Sequence, residues 1–272
     1  MDYSVLMSVY YKENHKCFKE SIESILSQSL PTNDFVIVCD GPLTEELYKV
    51  LDEYKENPVI NVVKLDKNQG LAKALKEGLK YCKNELVARM DSDDISVPER
   101  CAEQLLAFET KDLDVVGSDI VEFIDNPENI RTMRCVPKMH DEIKEYSKKR
   151  NPMNHVSVMF KKSSVIACGS YQEFHLYEDY QLWINMMLCG CKFKNIQKPL
   201  VKVRTTDDVY MRRGGMKYFK SGYKFQTYMY KSGHISFVRY LKNLTERLVV
   251  HALMPNCVRK WFYLKVLRKD NK

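Results

Sequence analysis

Strand-like and helix-like runs alternate through the first third of this chain, and that alternation restricts its possible folds more than any other feature. "SVLMSVY" is followed by an amphipathic stretch in which Phe18, Ile22, Ile25 and Leu26 fall on one face, and then by "FVIVCDG". "LTEELYKVLDEY" leads to "VINVVKL", and "LAKALKEGLKYC" leads to "ELVARMD". Apolar strands separated by helices predict β-α-β units and an α/β fold on a parallel sheet. In such open sheets, ligands bind beyond the carboxyl ends of the strands, where loops and helix N-termini converge. The polar residues at those ends therefore form one candidate site. They are Tyr10, Tyr11 and Glu13 after the first strand, Asp40 and Gly41 after the second, Asp66, Lys67, Asn68 and Gly70 after the third, and Asp91 to Asp94 after the fourth. Taken singly, Asp40-Gly41-Pro42 is also a good turn and Asn68-Gln69-Gly70 a good helix entry. Their common position is the stronger observation. No G-x-G-x-x-G follows the first strand and no G-x-x-x-x-G-K-[ST] occurs, which disfavours a nicotinamide Rossmann domain and a P-loop.

The fourth strand end, "ARMDSDDIS" at residues 88–96, crowds Asp91, Asp93 and Asp94 together. Carboxylates this close repel unless a cation or a set of amide donors sits among them. The alternative is a solvated strand-to-helix turn, with Pro98 opening the next helix at its first position. These nine residues alone leave both open.

With 272 residues and 44% hydrophobic content, the chain can hold one large domain, or one domain with an appendage. It has no run of eighteen apolar residues and no basic region before "YSVLMSVY", so a spanning helix and a signal peptide are not expected, and a cytoplasmic location is. Nine cysteines without a C-x-x-C pair predict reduced thiols, with Cys189 and Cys191 too isolated to hold zinc. Charge is uneven. Residues 211–272 carry 15 Lys and Arg against 2 Asp and Glu, whereas residues 1–210 carry 28 against 34. The tail also holds 11 of the 30 aromatic residues, and basic plus aromatic composition points to a phosphate-rich surface, membrane or nucleic acid.

The ordered set "SVYYKEN", "FVIVCDG", "KNQGLAKALKEGL" and "ARMDSDDISVPER" closely resembles the family 2 glycosyltransferases. "NHVSVMFKKSSVIACGSYQ", "LYEDYQLWINMMLCG" and "PLVKVRTTDDVYMRRGG" extend the likeness, over roughly residues 3–215, to the branch that builds bacterial capsular and exopolysaccharides. The resemblance implies a GT-A nucleotide-sugar-binding fold, a Rossmann-like central mixed sheet flanked by helices, followed by a C-terminal helical basic extension. Residues 1–215 would be the catalytic domain, with a nucleotide-binding half at 1–97 and an acceptor half at 98–215, and residues 216–272 the extension. The implied activity is inverting, metal-dependent transfer from a UDP-sugar to a lipid-linked glycan at the inner face of a membrane.

Breaking a bond to a diphosphate builds negative charge on the leaving group. Mg²⁺ or Mn²⁺, hard ions that prefer oxygen ligands, answers that charge. By resemblance, Asp93 is the metal ligand, Asp91 contacts ribose or metal-bound water, and Asp94 is a support or helix cap. The loop Val9 to Glu13 wraps base and ribose, and Asp40 meets the uracil. Lys67, Asn68, Gly70, Arg89 and Ser92 complete the nucleotide-sugar site. The acceptor hydroxyl needs a general base. Glu178 and Asp179 open a helix that buries Leu182, Trp183, Met186 and Met187; acidic residues favour the first turn of any helix, but the family's corresponding pair supplies the inverting base, here Asp179. His155 is expected to orient the acceptor, and Arg204, Arg212 and Arg213 to close on the diphosphate, where guanidinium forks suit phosphate oxygens.

Two other classes fit the sequence less well. A nucleic-acid-binding protein would not gather Asp40, Asp91, Asp93, Asp94 and Asp179 on one side. A nucleotidyltransferase would be expected to carry a glycine-rich basic loop after the first strand, and "YYKENHK" has no glycine. The remaining partner expectations concern the tail: an anionic membrane surface, or a second copy in a homodimer.

Overall fold

The computed structural model describes residues 1–109, 112–206, 215–253 and 269–270. The alternation seen in the sequence is realised as β1 (Tyr3–Val9), α1 (His15–Leu26), β2 (Asp34–Cys39), α2 (Glu45–Glu53), β3 (Ile60–Lys64), α3 (Leu71–Gly78) and β4 (Leu86–Asp91). These four strands are parallel in the order β3-β2-β1-β4, and their registers bring Val9 beside Cys39 and Ser8 beside Asp91 at one edge.

The second half converts this parallel sheet into a mixed one. It contains β5 (Ile95–Ser96), α4 (Arg100–Phe108), β6 (Val115–Phe123), β7 (Thr132–Arg134), α5 (His140–Ser147), β8 (Met159–Lys161), α6 (Lys162–Ala167), α7 (Glu178–Leu188), β9 (Phe193–Arg204), α8 (Met216–Lys231), α9 (Phe237–Arg247) and β10 (Lys269–Asp270). The antiparallel β8 joins β4 to β6, β7 and then β10 continue outward, and β9 runs parallel to β6 while pairing with β5. This is the mixed, helix-flanked sheet expected of a GT-A fold.

Successive side chains on a strand point to opposite faces, so a strand buried on both faces feeds two cores. Val5, Met7, Phe35 and Ile37 pack with Phe18 and Ile22 of α1, Leu47 of α2 and Leu105 of α4. Leu6, Val36 and Val38 pack on the other face with Leu75 of α3 and with Leu182 and Trp183 of α7. A third, aromatic cluster joins Tyr177, Tyr180 and Ile184 to Phe225 and Met229 of α8.

Behind the carboxyl edge, α4 supplies a buried polar spine. Arg100 donates to the carbonyls of Arg89 at 2.6 Å and Val158 at 3.3 Å, and Gln104 donates to those of Val116 and Ser157, each at 2.8 Å. The spine ties β4 to the 3-10 turn His155–Ser157. Pro98 does not open α4 at its first position. It sits in the preceding turn, its carbonyl accepting from Ser29 N–H at 2.8 Å, and the helix begins at Arg100. The eight described cysteines are free thiols, and Cys191 is met by Cys168 with 3.7 Å between sulfurs. Among the described residues, no helix is long and apolar enough to cross a membrane.

The C-terminal helices are fastened to the body partly through His234, whose Nε2 lies 2.8 Å from Ser147 Oγ. Burial first, then Lys148 and Lys144, push its pKa down from 6.5 to about 4, against an opposing pull from Glu145. The folded chain thus binds fewer protons here than the unfolded chain between those values, so this stabilisation is complete above pH 6.5 and is lost as pH falls toward 4. Thermal melts of wild type and His234→Gln should therefore show a steeper loss of Tm between pH 6.5 and 4.5 in wild type; parallel slopes would contradict the linkage.

Candidate active site

A cleft of about 590 Å³ opens beyond the carboxyl ends of β1, β2 and β4, lined by Ser8, Tyr10, Lys12, Glu13, Asp40, Asn68, Gly70, Leu71, Asp91, Ser92 and Asp93. Most of the residues expected from the strand ends meet here. Val9 is buried as the last residue of β1. Tyr10 and Tyr11 stand exposed with rings edge-to-face at 5.8 Å. Tyr11 and Lys67 are exposed but not among the lining residues, and Arg89 lies beneath the cleft. Lys12, within the expected Val9–Glu13 loop, also lines it, and Ser8 and Leu71 join them without a signal in the sequence.

Two of the loops are locked before any ligand arrives. Asp40 accepts from Gln69 N–H at 2.7 Å with one carboxylate oxygen and from Gly70 N–H at 2.9 Å with the other, while Asn68 Nδ2 donates to its carbonyl at 3.2 Å. Gly41 sits at φ +85°, and a Cβ there would lie 2.4 Å from Asn68 N, so only glycine lets the two loops approach this closely. Across the cleft, Glu13 accepts from Ser92 Oγ at 2.7 Å and from Asn14 N–H at 2.8 Å, tying the first loop to the aspartate turn.

The aspartates divide into three environments. Asp91 is bound through both oxygens by the guanidinium of buried Arg89, whose Nη1 donates at 2.7 Å and whose Nη2 donates to the other oxygen. Asp94 is buried and accepts from Arg204 N–H at 2.7 Å, which makes it a support for β9 rather than a helix cap; burial, then Asp93 and Asp91, hold its carboxyl far above the usual range. Asp93 lines the cleft. Burial, then the charges of Asp91 and Glu13, raise its pKa from 3.8 to about 7. Asp91 and Asp93 bring carboxyl oxygens to the same cleft, the ligand type that hard divalent cations prefer. Asp93 and Asp91 therefore fit a hard divalent cation. Among the described residues no three His, Cys, Asp or Glu side chains form a metal-holding group, so such an ion would draw its other ligands from phosphate oxygens and water.

Arg204 was expected to close on a diphosphate, but its guanidinium is committed elsewhere. Nη2 donates to Glu20 at 2.6 Å, Nε donates to the Asp93 carbonyl at 3.1 Å, and the group lies 4.7 Å from the Phe123 ring centroid. Arg212 and Arg213 lie outside the described residues.

Glu178 and Asp179 form the first turn of α7, with Trp183 and Leu182 anchoring its inner face. Asn151 Nδ2 donates to Asp179 Oδ2 at 2.6 Å, and Arg134 donates to the Asn151 carbonyl at 2.9 Å. Burial raises the pKa of Asp179 against the opposing hydrogen bond from Asn151. Burial, then Asp179, raises that of Glu178, and Asp91 adds to the effect, so the two acidic groups act on each other across the site. His155 Nε2 lies 2.9 Å from Tyr171 Oη, and its ring is 6.0 Å from that of Trp183. Burial and then Arg89 push its pKa well down, leaving a neutral imidazole. Asn151, Arg134 and Tyr171 carried no sequence signal; each acts through partners distant along the chain.

The sequence profile of the family described as Glycosyl transferase family 2 matches residues 4–180. The chain is similar to the Escherichia coli UDP-Gal:alpha-D-GlcNAc-diphosphoundecaprenol beta-1,3-galactosyltransferase, 38% identical over 98% of this chain and 97% of that protein. It is also similar to the amylovoran biosynthesis glycosyltransferase AmsE of Erwinia amylovora, 35% identical over 97% and 98%. Its fold matches the crystal structure of S. aureus TarS 1-349 in complex with UDP-GlcNAc, with TM-score 0.68 at 18% identity over 98% of this chain and 76% of that one. The profile match over most of the chain, joined to near full-length relatives, shows that the protein belongs to glycosyl transferase family 2 and is a glycosyltransferase.

Proposed function

We propose that this enzyme transfers a sugar from a UDP-sugar, with inversion and with the help of Mn²⁺ or Mg²⁺, to a lipid-linked glycan acceptor in the assembly of a cell-surface polysaccharide. One observation supports this reading. Arg89, whose guanidinium forks on Asp91 at the end of β4, also lies near enough to act on Glu178 and Asp179 in the first turn of α7, so one buried cation joins the two acidic turns. The name of the galactosyltransferase relative, with its UDP-sugar donor and diphosphoundecaprenol-linked acceptor, supports the substrate classes. In this reading residues 1–215 are the catalytic unit, residues 216–272 the extension, and the enzyme works at the cytoplasmic face of a membrane.

In the mechanism, the Tyr10–Glu13 loop and the Asp40–Gly70 lock receive the nucleotide in a cleft already shaped for it, which reduces the ordering needed on binding. Asp40 keeps lone pairs free to accept the N3 proton of a uracil. Asp93, with Asp91, would hold the divalent cation, which when bound supplies positive charge to the leaving diphosphate. Asp179 takes the acceptor's hydroxyl proton, its Oδ2 fixed by Asn151, and His155 borders the acceptor as a neutral group. A single displacement from the face opposite the diphosphate converts an α-linked donor into a β-linked product.

Calorimetry of UDP with Mn²⁺ tests the donor side. Asp93→Ala should lose the metal-dependent component of binding, and wild-type affinity in that variant would sink the assignment. Asp179→Asn should bind UDP normally while transfer falls by a factor of about a hundred to ten thousand, the range for general-base catalysis. A comparable loss of UDP affinity would instead put Asp179 in the donor site. The Asn151 hydrogen bond favours the ionised form of Asp179, whose pKa burial raises. Transfer should therefore fall on the acid side with a midpoint above the ordinary aspartate value, and Asn151→Ala should move that midpoint higher with little change in KM for the donor. An unmoved pH profile would leave Asn151 without this role.

A further inference from the structure

The outer faces of α8 and α9 carry a pattern that transfer chemistry does not use. On α8, Met216-Lys217, Tyr223-Lys224 and Tyr230-Lys231 recur at seven-residue spacing, which keeps them on one side of the helix, and all six residues are exposed. On α9 and the π-helical turn Leu248–Leu253 that follows it, Phe237, Val238, Leu241, Leu248 and Val249 are 40% to 77% exposed, while Asn243 and Tyr240 turn inward. The Tyr230 ring links the two faces, 5.7 Å from Phe237 and 5.4 Å from Tyr240. No acidic residue occurs from 209 to 245.

We propose that the joined outer face of α8 and α9 docks on an anionic lipid bilayer, with the exposed apolar side chains of α9 entering the headgroup boundary and the α8 lysines meeting lipid phosphates. The proposal rests on the lipid-linked acceptor of the preceding reading and names the surface that would bring the enzyme to it. Charge decides the occupant. A second copy of this chain apposed through the same face would set the α8 lysines against one another with a single glutamate of these helices, Glu246, to offset them, which opposes a self-complementary interface. A nucleic acid would use the lysines and tyrosines but leave the aliphatic side chains of α9 in water. An anionic bilayer satisfies both parts: basic side chains at the surface, aromatic rings at the interface and aliphatic ones below.

The docked face is joined to the first turn of α7 by the aromatic cluster around Phe225 and by Arg247. Arg247 of α9 donates to Tyr177 Oη at 2.7 Å and lies 5.4 Å from its ring, in the space left by Gly222 of α8, where a Cβ would come within 3.1 Å of the guanidinium. Tyr177 immediately precedes Glu178, so the docked helices pack directly against the residue that leads into the acidic turn of α7.

Full-length protein should co-sediment with vesicles of phosphatidylglycerol and phosphatidylcholine at low salt and stay in solution with phosphatidylcholine alone. Lys217→Glu with Lys224→Glu and Lys231→Glu should lower the partition constant by at least about a hundredfold, since each basic residue contributes about fivefold. Val238→Ser with Leu241→Ser should lower it at least about tenfold at every salt concentration; both side chains are exposed, so the fold should survive. UDP binding and transfer to a short-chain, vesicle-free acceptor should be unchanged in both sets. The proposal fails if wild type remains in the supernatant, if the serine variants bind as wild type does, if an RNA oligonucleotide displaces the protein from vesicles at equal phosphate, or if the serine variants convert a dimer to a monomer in light scattering. Vesicle binding without any transfer to the short-chain acceptor would count against the proposed function alone.

Discussion

The site is organised around the fork between Arg89 and Asp91. An arginine inside an apolar strand needs a partner for its charge, and here an acid lies two residues further along the same strand, at its solvent end, while Arg89 Nε stays buried without a hydrogen-bond partner. The fork fixes both Asp91 oxygens at the rim and places a positive charge beneath the cleft, where it acts on His155 and Tyr171 from below. Arg100 in turn holds the backbone of Arg89 from the other side of the strand, so the position of one carboxylate depends on a chain of contacts running back to α4. Asp93 takes no part in the fork, and burial first, then the charges of Asp91 and Glu13, raise its pKa.

The remaining loops are arranged around that point by backbone rather than side-chain means. Asp40 reads two consecutive N–H groups, and Gly41 permits a backbone contact no other residue would allow. Interactions of this kind leave little freedom to be lost when a nucleotide binds. The acceptor half relies on side chains: Asn151, Arg134 and Tyr171 converge from separate segments on α7 and His155.

The donor half was legible in the sequence because its information is local. Four strand ends with turn-forming polar residues give the site's location, and the Asp91–Asp94 cluster declares an electrostatic problem within a few residues. The acceptor half was not, since Asn151 reaches Asp179 across 28 positions and Arg100 reaches Val158 across 58. Arg204 misled for the same reason: its sequence neighbourhood is basic and polar, but Glu20 lies 184 positions away and captures the guanidinium. Pro98 was read as the opening residue of a helix by local preference, and the turn that binds Ser29 overrode it. For Glu178 and Asp179 the helix-dipole explanation and the catalytic one predict the same residues; only the family resemblance separated them.

The contact of Arg247 and Phe225 with Tyr177 also bears on how the enzyme is made. Tyr177 stacks on Phe225 with ring centroids 4.6 Å apart, and Arg247 caps its hydroxyl, so the turn that carries Asp179 is packed by helices that follow it in the chain. The four parallel strands pair among themselves within residues 3–91, well before those helices. The acidic turn of α7 cannot gain its final support until α9 has emerged. A nascent chain would therefore be able to pair its parallel strands before the acidic turn of α7 is packed, so the two sides of the site mature one after the other during synthesis.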